Sequence, residues 1–431
     1  MNKTTAAIAG SLCLALVPEL VLAQEPESQL GVVVGAGFEA HDNAALVDED
    51  EKSDVERIGT VGLDFVRPTG KLQMNVGYVA ERRDYLHDRL EDETAFNGAS
   101  SLTWLALPKL LDFTLFHQSS QERVDRRVAD VTSNRETRNV LGASANLYGR
   151  LTEVDSLVLT PGYTDVNVEG DTGLDSERAS GSLSYLHRTS EVSNISLTVS
   201  HSAVDTEIET NDYDVESATL GYATRLSRLS YSLSAGSNRI KRDVGDDVDG
   251  FLASIGVEYA GSSVRWGGSY VQQLTDSGLG LSTADPVFGD FNSSDGNVSE
   301  FDILESTQAE LHAAYSLTDS SEITGRIGYE NQDYEETLRD EEDLLFGLGY
   351  RYSINSRWQA GVRGSLTKAE FKDDPTGLEN DDSQVELYAD YRPIPRLGIH
   401  LGLGRDARSS NQPGLDYVDA FAVVMLSYKV Y

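Results

Sequence analysis

The sequence predicts an all-β protein, a single transmembrane antiparallel β-barrel of about twenty strands, with sixteen or eighteen allowed if weak strands merge. Three observations carry this: strict apolar–polar alternation, connections sorted into two length classes, and aromatic residues gathered beside the short class. The stretch DGFLASIGVEYAGSSVRWGGSYV (249–271) shows the first. Phe251, Ala253, Ile255, Val257 and Tyr259 are apolar, while Ser254, Gly256 and Glu258 between them are small or polar. After Gly261-Ser262-Ser263 the alternation resumes with Val264, Trp266, Gly268 and Tyr270. Side chains of a strand alternate between its two faces, so this pattern gives an apolar outer face and a wet inner one.

The same period recurs from residue 30 to the end. Leu72-x-Met74-x-Val76-x-Tyr78, Leu141-x-Ala143-x-Ala145-x-Leu147 and Leu229-x-Tyr231-x-Leu233-x-Ala235 are outer faces. So are Ala309-x-Leu311-x-Ala313-x-Tyr315, Leu344-x-Phe346-x-Leu348-x-Tyr350-x-Tyr352 and Leu397-x-Ile399-x-Leu401-x-Leu403. No segment of useful length carries apolar residues at helical spacing.

Connections alternate between short ones, such as PTG (68–70), PK (108–109), GSS (261–263) and NS (355–356), and longer acidic ones. The longer set includes 41–54, 244–249, 335–343 and 373–383, and the longest spans about 276–304. A soluble sandwich has no reason to sort its loops by rim, whereas outer-membrane barrels have short periplasmic turns and long external loops. Nine short and ten long connections make twenty strands. The expected girdle is Trp104, Tyr148, Tyr185, Tyr222, Tyr231, Tyr259, Trp266, Tyr315, Tyr352, Trp358 and Tyr391, all within a few residues of a short turn. Amphipathic rings prefer the headgroup level of a bilayer.

Composition narrows the function. The 71 Asp+Glu against 35 Lys+Arg give a formal charge of −36, which repels nucleic-acid phosphates and disfavours attachment to anionic lipid through basic residues. Hydrophobic residues at 39% are too many for a disordered acidic chain. At the N-terminus Lys3, the apolar run Ala6–Val17 and Val21-Leu22-Ala23 form a secretory signal with cleavage expected after Ala23. This leaves residues 24–431 as the barrel, in the cell outer membrane. The sole cysteine, Cys13, lies inside the leader, and Leu12 before it argues against lipidation, so the mature chain has no thiol chemistry. The C-terminal AVVMLSYKVY ends in the aromatic Tyr431 that barrel-assembly machinery reads, but its apolar series is out of phase by one residue.

Catalytic motifs are missing: no G-x-S-x-G, no P-loop, and seven histidines with no ligand-type spacing. No enzyme activity, cofactor or metal centre is therefore expected. The acidic stretches Asp48-Glu49-Asp50-Glu51 and Asp246-Asp247-Val248-Asp249-Gly250 lack EF-hand spacing and read as solvated surface, bridged to neighbouring lipopolysaccharide by divalent cations. With the apolar faces outward, Arg178, Arg188, Arg225, Arg265, Arg326, Arg351, Arg363 and Arg392 point into the lumen, as do Glu258, Glu310 and Glu330. Such an interior is either a wide hydrated channel or a network of ion pairs.

A first strand followed by His41-Asp42-Asn43-Ala44, together with TRLSRLSYSLSAGSNRIKRD (224–243) and VRWGGSYVQQLTDSG (264–278), resembles the type 2 family of β-barrel porins. It is similar in particular to the barrels associated with exopolysaccharide and exosortase systems. That resemblance implies a role in export or surface assembly of an extracellular polysaccharide, with a polysaccharide chain and export proteins as partners. Two alternatives stand beside it: a general diffusion porin for small solutes, and a non-conducting structural or adhesive barrel. An in-folded 276–304 loop would favour a constricted pore, and an external one a binding surface.

Overall fold

The computed structural model describes residues 28–87, 90–169, 175–279 and 301–431. The expected leader and most of the 276–304 loop lie outside these residues. Alternation and sorted turns produce twenty strands joined into one sheet. They are β1 (Gln29–His41), β2 (Asp54–Arg67), β3 (Leu72–Tyr85), β4 (Glu93–Leu107), β5 (Leu111–Arg123), β6 (Arg135–Arg150) and β7 (Asp155–Val168). Next come β8 (Ser176–Arg188), β9 (Ser193–Thr206), β10 (Tyr213–Arg225), β11 (Leu229–Arg242), β12 (Val248–Ala260), β13 (Val264–Asp276) and β14 (Ile303–Thr318). The last are β15 (Ser321–Tyr334), β16 (Glu341–Ser353), β17 (Trp358–Phe371), β18 (Glu379–Ile394), β19 (Leu397–Ser410) and β20 (Tyr417–Lys429).

Each strand pairs antiparallel with its sequence neighbours, and β1 pairs with β20 from Val33↔Lys429 to His41↔Phe421. The sheet therefore closes into a barrel, whose ladders satisfy the backbone without solvent along most of the wall. Outward positions are apolar and exposed: Phe251, Ile255, Leu311, Leu348, Leu387 and Leu403 among them. A soluble protein would bury these; a membrane wall presents them to acyl chains.

One rim carries nine connections of two to four residues and the other ten longer ones. At the short-turn rim, cross-hairpin rings stack: Trp104 on Phe113 at 5.7 Å, Tyr259 on Trp266 at 5.9 Å, and Trp358 on Tyr391 at 4.3 Å. Ten of the eleven girdle candidates take the outward phase. Tyr148 does not: it sits opposite buried Val158 in the ladder while its neighbour Leu147 takes the outward slot. Nearness to a turn had selected it, and phase rather than nearness decides which face a residue joins.

Two hairpins depart from the wall. Pairing of β4 with β5 stops at Gly98↔Ser119, and pairing of β12 with β13 stops at Ala253↔Gln272. Beyond these points β5–β6 and β13–β14 remain paired with each other but fold inward. The side chain of Asn97 accepts a hydrogen bond from the Gln121 amide at 2.9 Å, bridging the first break. At the second, Asn238 on the inner face of β11 donates to the Leu274 carbonyl at 2.8 Å, so β13 passes inside the wall.

The reason is legible in the side chains. Gln121, Glu122 and Arg123 on β5, and Arg135, Glu136, Thr137 and Arg138 on β6, leave neither face fit for lipid. On the other hairpin Leu274 and Ile303 are apolar on the outward phase, but with the hairpin turned inward they pack on Val204, Tyr213 and Ile240 of β9–β11. These five residues form a small buried core inside the barrel, at its long-loop end.

Candidate functional site

The lumen divides along the axis. Towards the short-turn rim its polar side chains are accessible: Arg265 is 56% exposed, Arg351 50% and Glu258 62%. One side of this vestibule is a hydroxyl-rich wall contributed by β8–β12. There Ser184 and Thr198 bond at 2.8 Å, Ser200 and Ser217 at 2.6 Å, and Ser234 and Ser254 at 2.8 Å. The strands that follow, β13–β18, are charged but paired. Glu322 accepts from Arg265 at 3.0 Å and from Arg351 at 2.9 Å, Glu310 from Arg326 at 2.7 Å, and Glu386 from Arg363 at 2.6 Å. Glu330 accepts from Gln308 and Gln332.

All the arginine and glutamate candidates take the inward phase. Arg188, Arg225 and Arg392 lie at the short-turn ends of their strands, where Arg188 donates to the Glu153 carbonyl at 2.7 Å. Arg178 differs from the rest: it is buried and clamps Asp276 bidentately, with both hydrogen bonds 2.8 Å. Asp276 also accepts from the Tyr213 hydroxyl at 2.7 Å. The clamp joins β8 to the tip of β13 across the interior.

Towards the long-loop rim the interior is filled. The connection 124–134 is organised by buried Asn134, whose side chain donates to the carbonyls of Asp125 and Ala129 and accepts from the Asp125 amide. It reaches the opposite wall. Arg126 pairs with Glu341 at 3.1 Å and Asp343 at 2.5 Å, both buried on β16. The Arg127 carbonyl accepts from Asn380 on β18 and from Arg408 on β19. Arg138 and Glu122, both almost fully buried, pair between the strands of the same hairpin. Val124 of this connection and Phe301 of the other inward hairpin both pack on Val168 of β7.

Electrostatics hold the connection in place. Burial alone would lift the Asp130 carboxyl, but Arg123 and Arg135 draw it net below its ordinary value. A bidentate hydrogen bond from Arg127 likewise overcomes burial and lowers Asp125. These two carboxylates remain ionised, with their arginine pairs intact, at neutral pH.

Sequence reasoning placed the candidate arginines and glutamates on the lumen face and left a hydrated channel and an ion-pair network as alternatives; it missed this constriction. Arg126 is over two hundred residues from Glu341 and Asp343 in the chain, and no local pattern joins them. The signals present were charge on both phases at the paired ends of β5 and β6, and the charged Asp276 at the end of β13. The histidines, isolated in sequence, also gain carboxylate partners: His41 with Asp419, His312 with Glu310 and Glu258, His400 with Asp390 and Glu386. Of the acidic stretches read as solvated surface, Asp249 pairs bidentately with Arg239.

No protein-family model matches the chain, and no curated protein does. The resemblance to exopolysaccharide-associated porins thus stands without support. Solved structures do match the fold. OpdQ of Pseudomonas aeruginosa is 13% identical, over 94% of this chain and all of that one, with a TM-score of 0.41. The copper transporter OprC is 12% identical over 93% of this chain and 80% of that one, TM-score 0.49. The FrpB iron transporter of Neisseria meningitidis is 10% identical over 94% and 83%, TM-score 0.45. Likenesses of this size concern barrel architecture and carry nothing about cargo.

Proposed function

We propose that the protein is an outer-membrane channel for small hydrophilic solutes, with a hydrated periplasmic vestibule below an internal constriction. The observation that carries this reading is the axial contrast: inward side chains are accessible near the short turns and buried where the β5–β6 and β13–β14 hairpins cross the lumen. The barrel is wide enough to hold water, since twenty strands enclose far more than the eight that side chains can fill. Passage of a polymer would require dislodging hairpins held by buried ion pairs, which disfavours the export role the sequence resemblance implies. Hydroxyls on one stretch of wall and paired charges on the next suit solutes carrying both polar and ionic groups.

Reconstitution in planar bilayers tests this. Small, weakly cation-selective conductance steps are expected, because the acidic loops ring the outer mouth of a chain carrying −36. In a deletion strain, uptake of small solutes should fall while secreted glycan is unchanged. Lost glycan with normal permeability would restore the polysaccharide reading, and loss of neither would leave a structural or adhesive barrel.

A further inference from the structure

At the closing seam, β1, β2 and β20 bring together groups the channel reading does not use. Glu39 and His41 are two residues apart on β1 and so share the inward face. The β1–β2 register sets Glu39 opposite Glu56. His41 Nε2 lies 3.4 Å from Glu56 Oε1 and 3.8 Å from Glu39 Oε1. It is buried and has no hydrogen-bond partner. The other ring nitrogen, Nδ1, bonds Asp419 Oδ2 of β20 at 2.6 Å.

This is the arrangement of a metal-binding histidine. A carboxylate on one ring nitrogen fixes the tautomer and turns the lone pair of the other towards the ligand. Both glutamates are divided in the same sense. Each Oε1 faces His41, while the Oε2 atoms face Arg83, at 2.8 Å from Glu56 and 3.6 Å from Glu39. Arg83 also holds Glu81 at 2.6 Å, so three carboxylates face one guanidinium and, with Asp419 on His41, the pocket keeps a negative excess. Ligands about 2.0–2.2 Å from a tetrahedral cation stand roughly 3.3–3.5 Å apart. The 3.4 Å edge fits and the 3.8 Å edge needs a shift of a few tenths of an ångström.

We propose that Glu39, His41 and Glu56 form a binding site for one divalent transition-metal ion, with Asp419 orienting His41 and Arg83 steadying the two carboxylates. One imidazole and two carboxylate oxygens select zinc and its neighbours over calcium and magnesium, which prefer oxygen alone. Three protein ligands leave a coordination position open to the lumen. The three ligands lie on β1 and β2, and Asp419 of β20 reaches His41 across the closing seam.

The test uses the full barrel, purified in detergent and stripped with EDTA, titrated with Zn²⁺ by calorimetry. One equivalent should bind, and millimolar Ca²⁺ should not displace it. His41→Ala should abolish this binding, and Asp419→Asn should weaken it about 10–100-fold. His400→Ala should leave it unchanged, because that imidazole already uses both nitrogens, on Asp390 and Glu386. Heat-modifiable migration checks that each variant is folded. Should His41→Ala fail to assemble, Co²⁺ loading of the wild type decides: an intense low-symmetry visible spectrum is expected. Absence of stoichiometric Zn²⁺ binding, undiminished binding by folded His41→Ala, or a weak octahedral Co²⁺ spectrum overturns the proposal.

Discussion

Replacing Arg126 with alanine should release the β5–β6 hairpin and enlarge the conducting path. The guanidinium is the partner of two carboxylates, Glu341 and Asp343, which are 3% and 7% exposed. Removing one side of a buried pair typically costs about 3–5 kcal/mol, because the remaining charge stays desolvated. That corresponds to a shift of roughly two to nearly four orders of magnitude between held and released hairpin. Water entering the vacated space, or protonation of a carboxylate, brings the effect towards the lower figure. Arg127→Ala is the matched control. Its side chain pairs with Asp125 two residues away in a half-exposed setting, worth at most about 1 kcal/mol, and its cross-lumen contact is made by the backbone carbonyl, which alanine retains. Single-channel recording should give larger or noisier openings for Arg126→Ala and wild-type steps for Arg127→Ala. Adding Glu341→Gln and Asp343→Asn to Arg126→Ala should recover part of the lost order by removing the stranded charges. Identical conductance in Arg126→Ala and wild type, with both folded, would refute the latch.

Other outcomes follow from the same geometry. Leu348→Arg, on the most exposed part of β16, should cost about 2–4 kcal/mol in urea unfolding from vesicles, while Ser196→Asn on the hydroxyl wall should be close to neutral; equal damage would argue against an outer lipid face. Trp358→Ala removes the 4.3 Å stack on Tyr391 and should lose about 0.5–1.5 kcal/mol beyond the area lost, measured in the same assay against Tyr391→Ala and the double variant. Asp130 has a folded value below the ordinary 3.8, so its contribution to holding the hairpin is complete above that pH and is lost as the pH falls below it towards the folded value. Conductance should therefore rise below about pH 3.8 in the wild type, and Asp130→Asn should show part of that rise already at pH 7; an acid response unchanged in Asp130→Asn would place the titrating group elsewhere.

Along the strands that stay in the wall, alternation alone determined which residues face out and which face in, because a strand offers only two faces and lipid tolerates only one kind of side chain. Phe251, Leu348 and Leu403 could be assigned from neighbours two residues away, and the short turns could be counted without knowing any contact. The inward arginines followed by elimination. Tyr148 shows the limit of that reasoning, since a position one residue from the right phase belongs to the other surface. The constriction depended on tertiary structure: Arg126 meets Glu341 only because the chain closes into a ring that sets β5 and β16 across from each other. The same closure decides the seam. Glu39 and His41 share a face by sequence, but Glu56 joins them through the β1–β2 register, and Asp419 arrives from the far end of the chain only when β20 pairs with β1. Local periodicity fixes the direction of a side chain; which distant group it meets depends on strand number, register and closure, and those are properties of the whole sheet.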